Sequence, residues 1–424
     1  MSKMIINGPA KLEGTWNVSG NKNAALPILI ATLLLDNPVI IDNLPDILDV
    51  KTIKDILISL GSKIEVINRN QWKIDNSNIS NQTIDKDLTA ALRASNMLIG
   101  PLLSRFGQAR MGYPGGDQIG ARPMDAFYKV LEGFGVSYQT DGENLEAVLE
   151  KTPSAGSYRE VSIIERSVTA SEMAIMLAVC LPGTTKYQLL ATEPHVIDLV
   201  NFLSQAGANI KWIDNTSLLI VGTEKLNLDQ WRIIPDQLET GTAAIAAIAT
   251  KSELVISNAD INHHHAMMLY FDQMGVNYFW EDPATLKIYP SQQLQPLEIK
   301  TAAYPLFPSD LQAPMAVLLT QANGTSTIFE TIFEGRLNYF HQLSQMGANL
   351  IIKETHVGLI SGPTPLYGGR VFSLDIRAGA TLIIAALIAV GQTVIEDSQH
   401  IDRGYQDIQE KLSNLGVDIW REED

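Results

Sequence analysis

Six stretches of the chain are apolar on nearly every side of a helix: residues 23–35, 92–106, 171–181, 241–250, 311–322 and 378–390, all rich in Ala, Leu, Ile and Met. A helix without a polar face predicts burial all round. Most are followed by a turn and a short β-type run: Pro38-Val39-Ile40-Ile41, Thr184-Thr185-Lys186-Tyr187, Leu254-Val255-Ile256, Thr327-Ile328-Phe329 and Thr393-Val394-Ile395. A second, amphipathic helix then ends in a recurring pattern of apolar, Gly, small, polar and β-type residues. The six occurrences are Leu60-Gly61-Ser62-Lys63-Ile64, Phe134-Gly135-Val136-Ser137-Tyr138, Ala206-Gly207-Ala208-Asn209-Ile210, Met274-Gly275-Val276-Asn277-Tyr278, Met346-Gly347-Ala348-Asn349-Leu350 and Leu415-Gly416-Val417-Asp418-Ile419. Their glycines lie 74, 72, 68, 72 and 69 residues apart. A near-constant spacing marks a repeated architecture, and this one exceeds the roughly 20–50 residues of solenoids. Each Gly suits the left-handed position that ends a helix before a strand. Three units per domain predict two similar α/β domains.

The residues that open the apolar stretches are polar: Ser19-Gly20-Asn21-Lys22-Asn23, Arg93-Ala94-Ser95, Ser167-Val168-Thr169-Ala170-Ser171, Glu239-Thr240-Gly241-Thr242, Ser309-Asp310 and Asp375-Ile376-Arg377. Several are good N-caps. A helix N-terminus offers unpaired N–H groups and about half a positive charge, so it favours anions.

Composition narrows the ligand class. Net charge is −16 over 424 residues, with 46% hydrophobic and 18% charged residues. Such a chain repels nucleic acid and anionic membranes at long range, and an anionic small ligand requires locally gathered cations. The N-terminal segment lacks a signal-peptide layout, and no apolar run is long enough to span a bilayer. A soluble, cytoplasmic protein is expected. Cys180, the single cysteine, reads as a buried core thiol. The run His263-His264-His265 has no acidic or Cys partners at ligand spacing. It reads as the first turn of an exposed helix, and no metal or cofactor is expected.

Several segments carry a resemblance. Ser19-Gly20-Asn21-Lys22-Asn23-Ala24-Ala25-Leu26-Pro27 is similar to the N-terminal signature of the UDP-N-acetylglucosamine enolpyruvyl transferases, in the EPSP synthase superfamily. Pro114-Gly115-Gly116-Asp117-Gln118-Ile119-Gly120-Ala121-Arg122-Pro123-Met124-Asp125 resembles their active-site loop. Phe307-Pro308-Ser309-Asp310-Leu311-Gln312-Ala313, Asp375-Ile376-Arg377-Ala378 and His400-Ile401-Asp402-Arg403-Gly404-Tyr405 are also similar to family motifs. The shikimate-pathway synthase of the same fold is expected to carry a Ser-Lys-Ser element where this chain has Asn21-Lys22-Asn23. The resemblance covers the whole chain. It implies two domains, each of three βαβαββ-type units around buried parallel helices, an inside-out α/β barrel with pseudo-sixfold repeat. Domain one is expected at 22–234, with the active-site loop 112–122, and domain two at 1–21 plus 235–424, with substrates in the cleft.

The implied reaction moves the enolpyruvyl group of phosphoenolpyruvate onto the 3′-hydroxyl of UDP-N-acetylglucosamine, releasing phosphate by addition and elimination. This is the first committed step of peptidoglycan synthesis. It needs a base for the hydroxyl proton, an acid for C3 of phosphoenolpyruvate, and cations for a phosphate and a carboxylate. By resemblance Asp310 is the base, Asp117 the proton donor, and Lys22 a phosphate or carboxylate contact. Arg122, Arg377 and Arg403 suit bidentate oxyanion binding, with Arg403 counted among the catalytic group, and Arg336 is a further carboxylate contact. Asn23 and Arg93 resemble sugar-nucleotide and closure contacts. Arg122, Pro123, Met124, Asp125 and Ala126, with Ser167, Val168 and Thr169, resemble uridine and diphosphate contacts, and Ile332 flanks the sugar. The glycines at 112, 115, 116 and 120 suggest a lid. The oligomeric expectation is a monomer or weak homo-oligomer.

The chain departs from the family in four places. Many members carry Cys where this chain has Asp117. A free Asp titrates near ~3.9 and a Cys near ~8.5, so insensitivity to fosfomycin, the epoxide that alkylates the Cys, is expected. Leu48 stands where some members have Lys, Gln237 where Arg is usual, and Thr169 replaces a Gly. These changes leave two alternatives beside the cell-wall enzyme: a paralogous transferase with another hydroxyl acceptor, and a non-catalytic sugar-nucleotide-binding protein.

Overall fold

The computed structural model describes residues 2–115 and 124–423. Asp117, Arg122 and Pro123 therefore lie outside the described residues, as does most of the proposed lid. The described residues form two compact units, one from residues 2–19 and 235–423, the other from residues 20–115 and 124–234.

The apolar stretches are helices: α1 (Lys22–Ala31), α2 (Ile99–Phe106), α3 (Val168–Ala178), α4 (Gln237–Ala249), α5 (Ser309–Leu319) and α6 (Ile376–Ile388). Nearly every residue in them is buried, as an all-round apolar surface requires. Five begin one to four residues before the apolar run, because their first turns carry the polar residues. The exception is 92–106, where a 3₁₀ turn at Arg93–Leu98 precedes α2. Pro101 has no N–H to give Met97, so regular α geometry cannot continue backward through it.

Sheets surround these helices. In the first unit, α4, α5 and α6 pack on one another, beside three four-stranded sheets. The N-terminal strand Ser2–Gly8 lies inside one of them, antiparallel to both Gly391–Glu396 and Ile419–Glu423. Gly14–Asn17 adds a parallel edge to Leu254–Ser257. The second unit packs α2 on α3, beside two four-stranded sheets and one of three strands. Each unit has its own continuous core. All six repeat glycines lie at positive φ: 111° at Gly61, 67° at Gly135, 105° at Gly207, 77° at Gly275, 94° at Gly347 and 91° at Gly416. The repeat is thus a recurring left-handed helix stop.

Three sequence readings change. Cys180 is half-buried rather than a core thiol; burial and Asp36 push its thiol up to about 11. The His run is not an exposed first turn, because the 3₁₀ turn Ile261–His263 intervenes and His264 is buried. His264 stacks on Trp280, with ring centroids 5.9 Å apart, and burial together with His263 lowers its pKa to about 3. Gly112 and Gly115, read as lid residues, are sites of close approach. A Cβ on Gly112 would stand 2.6 Å from Lys86 Cα, and one on Gly115 1.7 Å from Ala90 O.

Gly100 has the same origin: a Cβ there would lie 2.5 Å from Met173 O, on the backbone of α3. Ala in place of Gly gains about 1 kcal/mol of helix propensity, but overpacking costs roughly 1–3 kcal/mol. Gly100→Ala is expected to lower the thermal midpoint, as calorimetry would read it.

Asp198 yields a pH prediction. Burial raises its pKa from 3.8 to about 7, against the opposing hydrogen bond from Ile234 N. The folded pKa lies above the unfolded one, so the protonated carboxyl favours folding. That contribution, at most ~4 kcal/mol, is complete below pH 3.8 and is lost as pH rises through about 7. Thermal midpoints measured from pH 4 to 8 should fall more steeply in the wild type than in Asp198→Asn.

Candidate active site

In the first unit the chemistry gathers at helix starts. Pro308, with extended backbone, leads into α5 and places Asp310 in its first turn. The Asp310 side chain is 32% exposed, and its Oδ1 accepts from Arg336 Nη2 and lies 3.5 Å from Arg377 Nε. The two arginine side chains are only 5% and 9% exposed. Arg377 opens α6 behind its N-cap Asp375, whose Oδ1 accepts from Arg377 N at 2.7 Å and Ala378 N at 2.8 Å. Behind it, Arg377 Nη1 donates to the buried Tyr405 hydroxyl at 3.2 Å, which shares a 2.9 Å bond with Thr242 Oγ1. Burial opposes the charge on Arg377, but Asp310, Tyr405 and Asp236 outweigh it and raise its pKa. Arg336 reaches Asp310 from the turn after strand Gly324–Phe329, with its guanidinium 5.5 Å from the Phe333 ring centroid.

Two other predicted residues belong to this unit. Arg403 is half-buried at the end of the 3₁₀ turn Ser398–Arg403. Its neighbour Asp402 is gripped through both oxygens by Arg421, at 2.5 and 2.6 Å. Ile332 is 44% exposed, a large apolar side chain available for contact.

In the second unit Lys22 is the first residue of α1 and is buried. Its Nζ lies 2.6 Å from Asp49 Oδ2, with both side chains at most 10% exposed. Asn21 caps the helix by accepting from Ala24 N at 2.8 Å. Asn23 and Arg93 are half-buried, each in the first turn of its helix. Ser167 is the N-cap of α3, and Ser167, Val168 and Thr169 are half-buried. Met124 and Ala126 pack inward, so only Asp125 of that trio exposes its side chain. Leu48 is 46% exposed at the first residue of helix Leu48–Leu60, and Gln237 is half-buried at the first residue of α4.

Sequence reasoning missed Asp49, which reads as an ordinary acidic residue in a helix first turn. It also missed Glu330 and the partners of Glu239, a residue placed at the opening of an apolar stretch. Glu239 is buried and accepts from Trp16 Nε1 at 2.7 Å, Ser19 N at 3.1 Å and Lys411 Nζ. None of these carries a local sequence signal. Among the described residues, no group of His, Cys, Asp or Glu is arranged to hold a metal ion.

These first-turn residues can bind and neutralise small anions and move a proton at Asp310. A family model described as EPSP synthase (3-phosphoshikimate 1-carboxyvinyltransferase) matches residues 6–412. The chain belongs to the EPSP synthase family. Within that family it is 37% identical to the UDP-N-acetylglucosamine 1-carboxyvinyltransferase of a Wolbachia from Drosophila simulans, over 99% of both chains. It is also 37% identical to the enzyme of that name from Hydrogenovibrio crunogenus, over 99% of this chain and 100% of the relative. Among solved structures it superposes on the enolpyruvyl transferase NikO of Streptomyces tendae with a TM-score of 0.89 at 25% identity, covering 99% of this chain and 98% of that one. The fold is shared with EPSP synthase from Acinetobacter baumannii, with a TM-score of 0.79 at 16% identity and complete coverage of both chains.

The support behind Arg377 can be tested alone. Tyr405→Phe keeps the ring but removes the hydroxyl bonded to Arg377 and Thr242. Urea unfolding is expected to show a loss of about 1–2 kcal/mol, with native circular dichroism retained.

Proposed function

We propose that this family member transfers the enolpyruvyl group of phosphoenolpyruvate to the 3′-hydroxyl of UDP-N-acetylglucosamine, releasing phosphate, as the first committed step of peptidoglycan synthesis in the cytoplasm. The observation that carries the reading is the meeting of Arg336 and Arg377 on Asp310 at the start of α5. That cluster pairs a base with cations for the carboxylate of phosphoenolpyruvate. Full-length similarity to relatives bearing the transferase name supports the acceptor.

In this mechanism the carboxylate of phosphoenolpyruvate takes bidentate bonds from Arg336 and Arg377. Their withdrawal from Asp310 frees its carboxylate to take the proton of the 3′-hydroxyl as the hydroxyl oxygen attacks C2. Asp117 gives a proton to C3. The tetrahedral intermediate then loses a proton from its C3 methyl group as the C2–O bond to phosphate breaks, which restores the C2=C3 double bond; the proton leaves with phosphate, whose remaining charge Lys22 and Arg403 offset. Arg122, Pro123, Met124, Asp125, Ala126, Ser167, Val168 and Thr169 hold the nucleotide, with Asn23, Arg93 and Ile332 at the sugar. No step requires a metal. The protein acts as a monomer or weak homo-oligomer, with domains at 22–234 and at 1–21 plus 235–424.

A second reading, transfer to a different hydroxyl acceptor, is favoured by Leu48, Gln237 and Thr169, three changes at helix first turns. Phosphate release from phosphoenolpyruvate with a panel of UDP-sugars separates the two. Release with UDP-N-acetylglucosamine is expected, falling about 100-fold or more in Asp310→Asn. Release only with another sugar would select the second reading. Release from none, despite sugar-nucleotide binding, would leave a binding protein.

Asp117→Cys tests the donor. The variant is expected to reach its optimum at higher pH than the wild type, following the higher intrinsic pKa of a thiol, and to become sensitive to fosfomycin. Superimposable pH profiles would remove Asp117 from the mechanism.

A further inference from the structure

Glu330 is fully buried at the end of strand Gly324–Phe329. Burying a carboxylate costs several kcal/mol unless it is well bonded, and an apolar residue would fill the same space. Its two oxygens are divided between two structures. Oε1 accepts from the backbone N–H groups of Ile332 at 2.8 Å and Phe333 at 3.2 Å. It thereby fixes the turn that carries Arg336. Oε2 accepts from Ser309 Oγ at 2.8 Å, on the first residue of α5 and next to Asp310. The N-cap of α5, Pro308, makes no side-chain capping bond, and Glu330 is one of the groups that tie down this helix start.

A second strut runs parallel. Gln312 of α5 donates to Arg336 O at 3.4 Å and accepts from the Tyr339 hydroxyl at 2.8 Å. Tyr339 is fully buried, and burial, then Glu330, push its pKa up while Arg336 pulls it down. The helix bearing Asp310 and the turn bearing Arg336 are therefore bolted together by buried side chains.

We infer that Glu330 is a positioning residue for the reaction: by clamping the start of α5 to the 332–336 turn, it sets the approach of Arg336 to Asp310. This deepens the proposed function and rests on its assignment of those two residues. The role is geometric, so shape and hydrogen bonding matter more than charge. In Glu330→Gln the amide oxygen can still accept from both N–H groups, and the amide nitrogen can donate to Ser309 Oγ. In Glu330→Ala all three bonds go.

The test compares steady-state constants of the wild type and both variants. Misplacing a reacting group by about 1 Å can cost roughly 100-fold. Glu330→Ala is expected to lose about that much in kcat/KM for phosphoenolpyruvate, with kcat itself falling. Glu330→Gln is expected to recover to within about fivefold of the wild type. An unimpaired Ala variant overturns the inference, and so does a Gln variant as poor as Ala. Should Glu330→Ala not fold, Ser309→Ala severs only the bond to α5 and should lose about tenfold in the same constant; no loss overturns the inference. Crystal structures decide independently of turnover. Arg336 moved off Asp310 in the Ala variant, or in Ser309→Ala, supports the inference, and an unchanged contact overturns it. A wild type that releases no phosphate would instead defeat the functional reading while leaving that comparison decisive for the geometry.

Discussion

The convergence of Arg336 and Arg377 on one oxygen of Asp310 governs the chemistry of the first unit. Two nearly buried guanidinium groups repel each other and lose hydration, and the carboxylate between them offsets both costs. The same contact restrains the carboxylate, because an oxygen engaged by two cations is a poor proton acceptor. An incoming anion that competes for the arginines removes the restraint. In the proposed mechanism, binding and base activation are then one event. An acidic chain of net charge −16 can serve anionic substrates on this basis, since its cations are gathered locally and held by buried partners.

What puts these groups at the surface of their units is a constraint on helices. A helix buried along its length can offer chemistry only at its ends. In α1, α3, α4, α5 and α6 the first turn holds most of the polar residues, while the rest is largely apolar. Each first turn also presents N–H groups without intrahelical partners. Some are satisfied by caps, as at Asn21, Asp236 and Asp375. The repeat is therefore more than a folding economy. It brings a first turn to the same structural position again and again, and each copy can be fitted with a different side chain.

Much of this was legible in the sequence, for reasons that differ by residue. The apolar stretches and their glycine stops follow from periodicity alone, and the six positive-φ glycines match it position by position. Asp310, Arg377 and Lys22 stood out because they interrupt apolar runs at helix starts. The register at 92–106 was misjudged because an apolar run looks alike in α and 3₁₀ geometry, and only Pro101 hints at the change. His264 was misjudged because a run of three histidines looks polar. Its burial depends on Trp280, which periodicity could not pair with it.

The supporting residues were illegible for a deeper reason. Asp49, Glu330 and Tyr405 each act across a sequence gap of about 20–30 residues, on Lys22, Ser309 and Arg377. A buried carboxylate at the end of a strand, or a Tyr in a turn, has many uses, and nothing near it in sequence states which one applies. Only three-dimensional bonding does. Yet these residues decide whether the visible ones work. A guanidinium held by one flexible stem samples many rotamers, and each bond from behind removes some of that freedom before substrate arrives. The preorganisation of Arg377 by Tyr405, and of Arg336 by its turn, is entropy already lost on folding rather than on binding. Motif residues name the reaction, whereas the buried bonds behind them set how well it runs.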